Sequence, residues 1–287
     1  MPRLRLATRG SQQARTQAEA VAAALADAAG CEAELVIVDT TGDRRQDVPL
    51  HVIGGQGIFV KEVQQAVLDG RADGAVHSAK DLPSTTHEAL LIGAFTSRRD
   101  PADALIGRSL GDLAPGATIA TGSVRRRAQL AAARPDLTFV ELRGNIATRL
   151  SKVPEGGAIV MAVAALQVLE MTERIDERLD PRQFVPAVGQ GCVAVEIRAD
   201  DTATAELLTA IDHATTRHEV EVERSFLAEL GSGCSLPVGA HVSGHELHVF
   251  LAGHDDTAHE RIALALDASD HERAREAAHH ARRVVGW

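Results

Sequence analysis

The amino-acid sequence predicts an α/β protein, with two α/β domains joined by two crossings of the chain and a smaller α+β domain after them. Three observations carry this reading. The chain has 287 residues, long for a single hydrophobic core. Short apolar runs alternate with segments of helical period through most of its length. From about Ala214 the order changes to one helix, three strand-like runs and a final helix. The sequence contains no internal repeat and no low-complexity segment.

Leu4 to Thr8 reads as a strand, followed by a helix capped by Ser11, with Ala14, Ala18, Val21 and Leu25 on one face and Gly30 as its stop. Leu35 to Val38 is the next strand. The glycine-rich segment Gly54-Gly55-Gln56-Gly57 leads to a helix from about Phe59 to Asp69, and Ala75 to His77 returns as a short strand. After Arg98-Arg99-Asp100-Pro101 the pattern restarts: strand Thr118 to Ala120, helix from Ser123, strand Thr138 to Leu142, helix from Asn145, strand Ala158 to Ala162. Phe184 to Gly191 reads as a crossing, and Cys192 to Ile197 as a strand that rejoins the first sheet. Three further strands (Val238 to Val242, Glu246 to Gly253, Arg261 to Leu266) and a helix complete the chain. The expected domains are 1–98 with 192–211, then 99–191, then 212–287. Two crossings between the α/β domains would make a hinged cleft.

Composition narrows the function. A net charge of -10 argues against general binding to nucleic acid or acidic membranes. The N-terminus has no apolar signal core, and the apolar run Gly156–Leu169 is too short to span a bilayer, so a cytoplasmic protein is expected. Three cysteines without a Cys-x-x-Cys pair suggest neither a disulfide framework nor a zinc knuckle. Ten of the thirteen histidines follow Thr209 and are expected at the surface, and no metal site is assigned.

Three constellations stand out. Between Thr121 and Lys152, seven basic residues face only Asp136 and Glu141, a local balance of +5 in an acidic chain. With Ser123 as N-cap, Arg125 and Arg126 fall in the first helical turn, where the dipole disfavours cations and an anion is called for. Arg143-Gly144-Asn145, with Arg149 one turn on, repeats the arrangement at the next junction. Guanidinium forks match carboxylates, and the plain alternative is a solvated basic face. In His77-Ser78-Ala79-Lys80-Asp81-Leu82-Pro83, Asp81 is a carboxylate beside a cation at a strand end. Cationic neighbours would keep it ionised and burial would favour its protonated form; the first can stabilise a developing cation, the second can donate to a leaving amine. Cys234, in Leu230-Gly231-Ser232-Gly233-Cys234-Ser235, is a thiol on a loop that glycines leave unobstructed, where it can be alkylated or can be an inert loop cysteine.

Together with Ala7-Thr8-Arg9-Gly10-Ser11, Phe59-Val60-Lys61-Glu62, Leu142-Arg143-Gly144-Asn145, Thr148-Arg149-Leu150 and Pro186-Ala187-Val188-Gly189-Gln190-Gly191, these segments stand in an order that resembles the porphobilinogen deaminases, also called hydroxymethylbilane synthases, over nearly the whole chain. The resemblance implies two hinged periplasmic-binding-protein-like α/β domains plus a smaller α+β C-terminal domain. It implies a transferase of tetrapyrrole biosynthesis that joins four porphobilinogen molecules head to tail on a dipyrromethane cofactor and releases hydroxymethylbilane and ammonia. By the same resemblance Cys234 carries the dipyrromethane through a thioether, and Asp81 is the catalytic residue, acting at pyrrole nitrogens. Arg9, Arg125, Arg126, Arg143 and Arg149 would clamp acetate and propionate groups, Ser11, Ser78, Lys80, Thr121, Ser123 and Gln190 would supply hydrogen bonds, and Phe59 would lie beside the pyrrole. A monomer with porphobilinogen as its small-molecule partner is implied.

The chain departs from the family pattern at four places: Val52 and Gln56 stand where lysines are frequent, Gly122 where serine is common, and Ser232 where a second glycine is usual. Two other function classes fit parts of the sequence. A hinged binder of a dicarboxylate would use the same arginines but has no need of a reactive thiol. A nucleic-acid reader built on the Ser123 helix lacks interleaved aromatic residues and a basic balance.

Overall fold

The structure, a computed structural model, describes residues 2–44, 57, 59–231, 236–253 and 258–286. Cys234, Ser232, Val52 and Gln56 lie outside the described residues. The chain divides into two compact units, residues 1–46, 55–99 and 191–218 in the first and 47–54, 100–190 and 219–287 in the second.

The first unit begins with β1 (Arg3–Arg9), α1 (Gln12–Ala29) and β2 (Glu32–Val38). The short α2 (Thr41–Arg44), α3 (Lys61–Leu68), β3 (Gly74–Ser78) and β4 (Leu90–Phe95) follow. Ser11 caps α1 by accepting from the Ala14 N–H, and Gly30 ends it in the left-handed region at φ 59°. The inward stripe Ala18, Val21 and Leu25 packs with Leu4, Leu6 and Val76 of the sheet.

The second unit carries β5 (Asp103–Ile106), β6 (Thr118–Ala120), α4 (Val124–Ala133), β7 (Thr138–Val140), α5 (Ile146–Leu150), β8 (Ala158–Ala162), α6 (Val163–Val168) and β9 (Glu177–Arg178). The chain then returns to the first sheet as β10 (Val193–Arg198), continues through α7 (Thr202–Leu208) and α8 (Ala214–Glu229), and closes with β11 (Val238–Ser243), β12 (Glu246–Ala252), β13 (His259–Ala265) and α9 (Asp270–Val285).

The two five-stranded sheets share one topology. Their orders are β2-β1-β3-β10-β4 and β7-β6-β8-β5-β9. In each, three parallel strands are followed by one that runs antiparallel to both of its neighbours. That fourth place is filled in both cases by the first strand after the chain has changed units, so the crossings are built into the sheets rather than laid over them. The third sheet, β11-β12-β13, is antiparallel and packs its inward residues Ala240, Leu247 and Val249 against Ala274, Ala278 and Ala281 of α9. This is the α/β architecture with a smaller α+β portion expected from the alternation of periods.

Two expectations need correction. Strands β4 and β5 were not foreseen: β5 opens on the charged Asp103, which reads as loop until its buried partners are known. His241 and His248, expected at the surface with the other late histidines, are 5% and 6% exposed and directly opposed in register on β11 and β12. The interior tolerates His241 because Glu223 of α8, itself fully buried, places Oε1 3.2 Å from its Nδ1. Burial pushes His248 down, towards the neutral form.

Glu223 also fixes where β11 lies. Its Oε1 accepts from the Val242 N–H at 2.8 Å and its Oε2 from the Gly189 N–H at 2.8 Å, so one carboxylate ties α8 to the third sheet and to the segment before β10. Gly239 completes that junction, since a Cβ there would stand 2.6 Å from the Val185 carbonyl oxygen and 2.8 Å from that of Pro186. Gly239→Ala is therefore expected to destabilise the protein by about 1–3 kcal/mol through overpacking, read as a lowered urea midpoint; an unchanged midpoint would mean that the junction has slack.

Candidate active site

Ligands of open α/β sheets bind beyond the carboxyl ends of the parallel strands. In the first unit those ends carry Arg9 (β1), Ser78 (β3) and, directly after β3, the 3-10 turn Ala79–Asp81. The turn is fastened to β10's leading residue: the Ala79 N–H donates to the Cys192 carbonyl at 2.9 Å, and the Leu82 N–H closes the turn on the Ala79 carbonyl at 3.2 Å. Asp81 is thereby set half-exposed at the sheet edge.

Around it is a small, narrow concavity whose lining includes Arg9, Gln17, Phe59, His77, Ser78 and Asp81. The Arg9 guanidinium lies 4.0 Å from the centre of the Phe59 ring, a cation over an aromatic face. Ser78 Oγ donates to Gln17 Oε1 at 3.0 Å. Four of the sequence-derived residues, Arg9, Phe59, Ser78 and Asp81, thus come together. Ser11 is used as the cap of α1, and Lys80 is half-exposed; neither is part of this lining. Gln17 was not foreseen. A signal was present, because it stands three residues after Ala14 and four before Val21, a polar side chain on the apolar stripe of α1. A cation, an aromatic face and a carboxylate suit a flat ring that bears both carboxylate groups and an N–H.

The second unit answers the question of what anion sits with Arg125 and Arg126. It is an internal one, Asp103. Arg125 Nη1 donates to Asp103 Oδ2 at 2.8 Å and to the Val185 carbonyl at 2.7 Å. Arg126 donates to Asp103 Oδ1 from Nε at 3.1 Å and Nη2 at 2.8 Å, and to the Val160 carbonyl at 3.0 Å. Gln190 Nε2 donates to the same Oδ1 at 2.8 Å and to the Pro101 carbonyl at 2.7 Å. Burial pushes the Asp103 carboxyl up, but the two arginines outweigh it and hold it well below the usual carboxylate range. Burial pulls the Arg125 guanidinium down against the attraction of Asp103. Three residues read from the sequence as ligand contacts therefore converge on a carboxylate that the sequence reading had passed over.

Thr121 and Ser123 shape the entry to α4: Thr121 Oγ1 accepts from the Ser123 N–H at 3.2 Å, and Ser123 Oγ caps the helix by accepting from the Arg126 N–H at 3.4 Å. Between them Gly122 leaves no room for a side chain, because a Cβ there would stand 2.8 Å from the Leu142 carbonyl oxygen. A serine at this place would require the Leu142 segment to shift.

At the junction after β7, Asn145 caps α5 by accepting from the Thr148 N–H at 2.9 Å. Arg149 Nε donates to the Gly144 carbonyl at 2.8 Å and Lys152 Nζ to the Arg143 carbonyl at 3.2 Å. Gly144 adopts φ 119° beside Thr148, a conformation that favours glycine. The half-buried Arg143 and Arg149 are thus carried on a turn with its own internal bonding. Among the described residues no group of His, Cys, Asp and Glu could hold a metal ion, and no helix is long and apolar enough to cross a membrane.

Comparison with known proteins places this geometry. Residues 4–206 match the family model "Porphobilinogen deaminase, dipyromethane cofactor binding domain", and residues 217–265 match "Porphobilinogen deaminase, C-terminal domain". The porphobilinogen deaminase of Nitratidesulfovibrio vulgaris (strain Miyazaki F) is 47% identical over 247 residues, 84% of this chain and 78% of that protein. That of Acidothermus cellulolyticus is 48% identical over 246 residues, 83% and 74% of the two chains, and that of Xanthomonas oryzae pv. oryzae 45% over 274 residues, 93% and 90%. Among solved structures, the methionine binding protein MetQ is similar over 75% of this chain and 92% of that one, at 12% identity and a TM-score of 0.46. With the Asp81 concavity, the arginine junctions and matches of this identity over most of its length, the chain belongs to the porphobilinogen deaminase family, enzymes of tetrapyrrole biosynthesis with a dipyrromethane cofactor.

Proposed function

We propose that this chain joins four porphobilinogen units head to tail on a dipyrromethane held by a thioether to Cys234, releases hydroxymethylbilane, and uses Asp81 as its catalytic residue. The observation that carries the reading is the concavity that gathers Asp81, Arg9, Phe59 and Ser78 at one sheet edge of a member of this family. When bound, the dipyrromethane supplies a free pyrrole α-carbon as the point of growth. Asp81 accepts a hydrogen bond from a pyrrole N–H, and its negative charge stabilises the cation that forms as the C–N bond breaks and ammonia departs with the electron pair. Arg9 binds an acidic side group of the substrate while the Phe59 face flanks the ring. Arg143 and Arg149 hold further carboxylates, with Ser11, Lys80, Thr121 and Ser123 supplying hydrogen bonds at their edges.

Arg125, Arg126 and Gln190 act chiefly through Asp103, setting the entry to α4 and keeping its charge in balance; their contribution to carboxylate binding is made with Asp103 in place. The three sheets support a division into 1–98 with 192–211, 99–191 and 212–287, the last bearing the cysteine loop. The enzyme works as a cytoplasmic monomer, a reading that rests on its resemblance to the family.

Three outcomes test these assignments. Intact-protein mass spectrometry of active enzyme is expected to show an adduct of two linked pyrroles that Cys234→Ser abolishes; an unmodified mass in active protein would remove Cys234 as the anchor. Asp81→Ala is expected to lower porphobilinogen turnover by about 100-fold or more while the adduct mass is retained, and near-normal turnover would exclude Asp81 from the chemistry. Asp103→Asn, which leaves two buried guanidinium groups without their counter-charge, is expected to cost about 3–5 kcal/mol of stability, measured by urea unfolding; a change under about 0.5 kcal/mol would mean the pair is dispensable.

A further inference from the structure

Behind the Asp81 concavity lies a buried polar array that the reaction as described does not use. His77 and Glu196 occupy the same face of adjacent antiparallel strands, β3 and β10, where Glu196 opposes Ala75 and His77 opposes Ala194. Their side chains are 3% and 1% exposed, and His77 Nε2 stands 3.1 Å from Glu196 Oε2. Gln64 reaches over from α3, its Nε2 donating to Glu196 Oε1 at 3.2 Å and Oε2 at 2.9 Å. A carboxylate this deeply buried is costly unless its charge is met, and the titratable group in contact with it is His77. The imidazole also forms part of the concavity wall, in the company of Asp81 from the 3-10 turn and Arg9 from β1. The array is thus continuous from α3 through the sheet to the pocket, and it lies wholly within the first unit.

We propose that His77 is a positioning residue for the deamination: supported by Glu196 and Gln64, it forms with Glu196 a buried pair that holds one exchangeable proton at the pocket wall and so sets the charge against which Asp81 works. The inference rests on the assignment of Asp81 given above. Gain or loss of that proton alters the net charge beside Asp81 by one. Growth of the chain requires such a setting to be stable, because each addition breaks a C–N bond, releases ammonia and frees the proton of the attacked α-carbon.

The test is the pH–rate profile of porphobilinogen consumption by the dipyrromethane-loaded enzyme and two variants. His77→Gln preserves a polar side chain but cannot titrate, and Glu196→Gln preserves shape while removing the charge. The expected result is that the profile of kcat between pH ~5 and ~8 loses or moves one ionisation in both variants. In His77→Gln, kcat falls roughly 10- to 100-fold while KM changes little. An unaltered profile, with kcat and KM within about twofold of the parent, would overturn the proposal. So would a fall in kcat with no movement of the profile, which is the mark of a merely structural group. Should His77→Gln fail to fold, Glu196→Gln alone decides by the same readout. Asp81→Ala measured alongside separates the two ideas: near-normal turnover there sinks the Asp81 assignment, whereas a changed His77→Gln profile would still stand.

Discussion

Asp103 is the constraint on which the second unit depends. A fully buried carboxylate in β5 meets two guanidinium groups from the first turn of α4 and the amide of Gln190 from the segment before β10. Each partner alone would be expensive to bury, and together they leave one net positive charge in a region otherwise closed to water. The geometry ties three distant stretches of chain to one point: the strand that opens the unit, the helix that begins after β6, and the segment by which the chain leaves. Val185 shows how far the tie extends, since its carbonyl accepts from both Arg125 and Gln129 while its N–H donates to Gln129 Oε1. The helix dipole would otherwise resist cations in its first turn; Asp103 removes that conflict from within the protein.

The first unit solves the opposite problem. Its edge carries Arg9 at the end of β1 and Asp81 just after β3, on segments secured by backbone and neutral contacts: the Ala79 N–H on Cys192, Ser78 on Gln17, and Arg9 over the Phe59 ring. Where the second unit turns its charged groups on one another, the first buries the Glu196–His77 contact one layer down and carries Arg9 and Asp81 half-exposed at the edge. The same sheet topology thus supports a locked carboxylate in one unit and an accessible one in the other, which is why fold alone would not have told binder from enzyme.

Much of this was legible in the sequence, for reasons that differ between elements. The helices of α1, α4 and α5 announced their starts through Ser11, Ser123 and Asn145, each of which caps as its type predicts. Strand β8 was found to the residue because its burial on both faces makes an unbroken apolar run, Ala158 to Ala162. Asp103 was missed because its role exists only through partners about twenty and ninety residues away, and no local pattern distinguishes a buried aspartate from a loop aspartate. His241 was misjudged for the same reason, its acceptor lying on another element. The site residues at strand ends were accessible to sequence reading because they follow the strands directly; Gln17, set on a helix face, was not.

The segment from Phe184 to Gly191 deserves to be seen as more than a connection. It is gripped at three places by different chemistry: Val185 by Gln129 and Arg125, Gly189 by Glu223, and Gln190 by Asp103. Glu223 carries the grip onward, because the oxygen that does not hold Gly189 accepts from Val242 of β11, the strand that follows the cysteine loop. A continuous series of buried polar contacts therefore runs from the strand after Cys234 through α8 to the start of α4. The links made by Glu223 and Asp103 are short, buried and charge-assisted, so loss of either carboxylate leaves its neighbours with unmet groups rather than slack. Such a series gives β11 a fixed position relative to α8 and α4, set by buried polar contacts rather than by apolar packing alone.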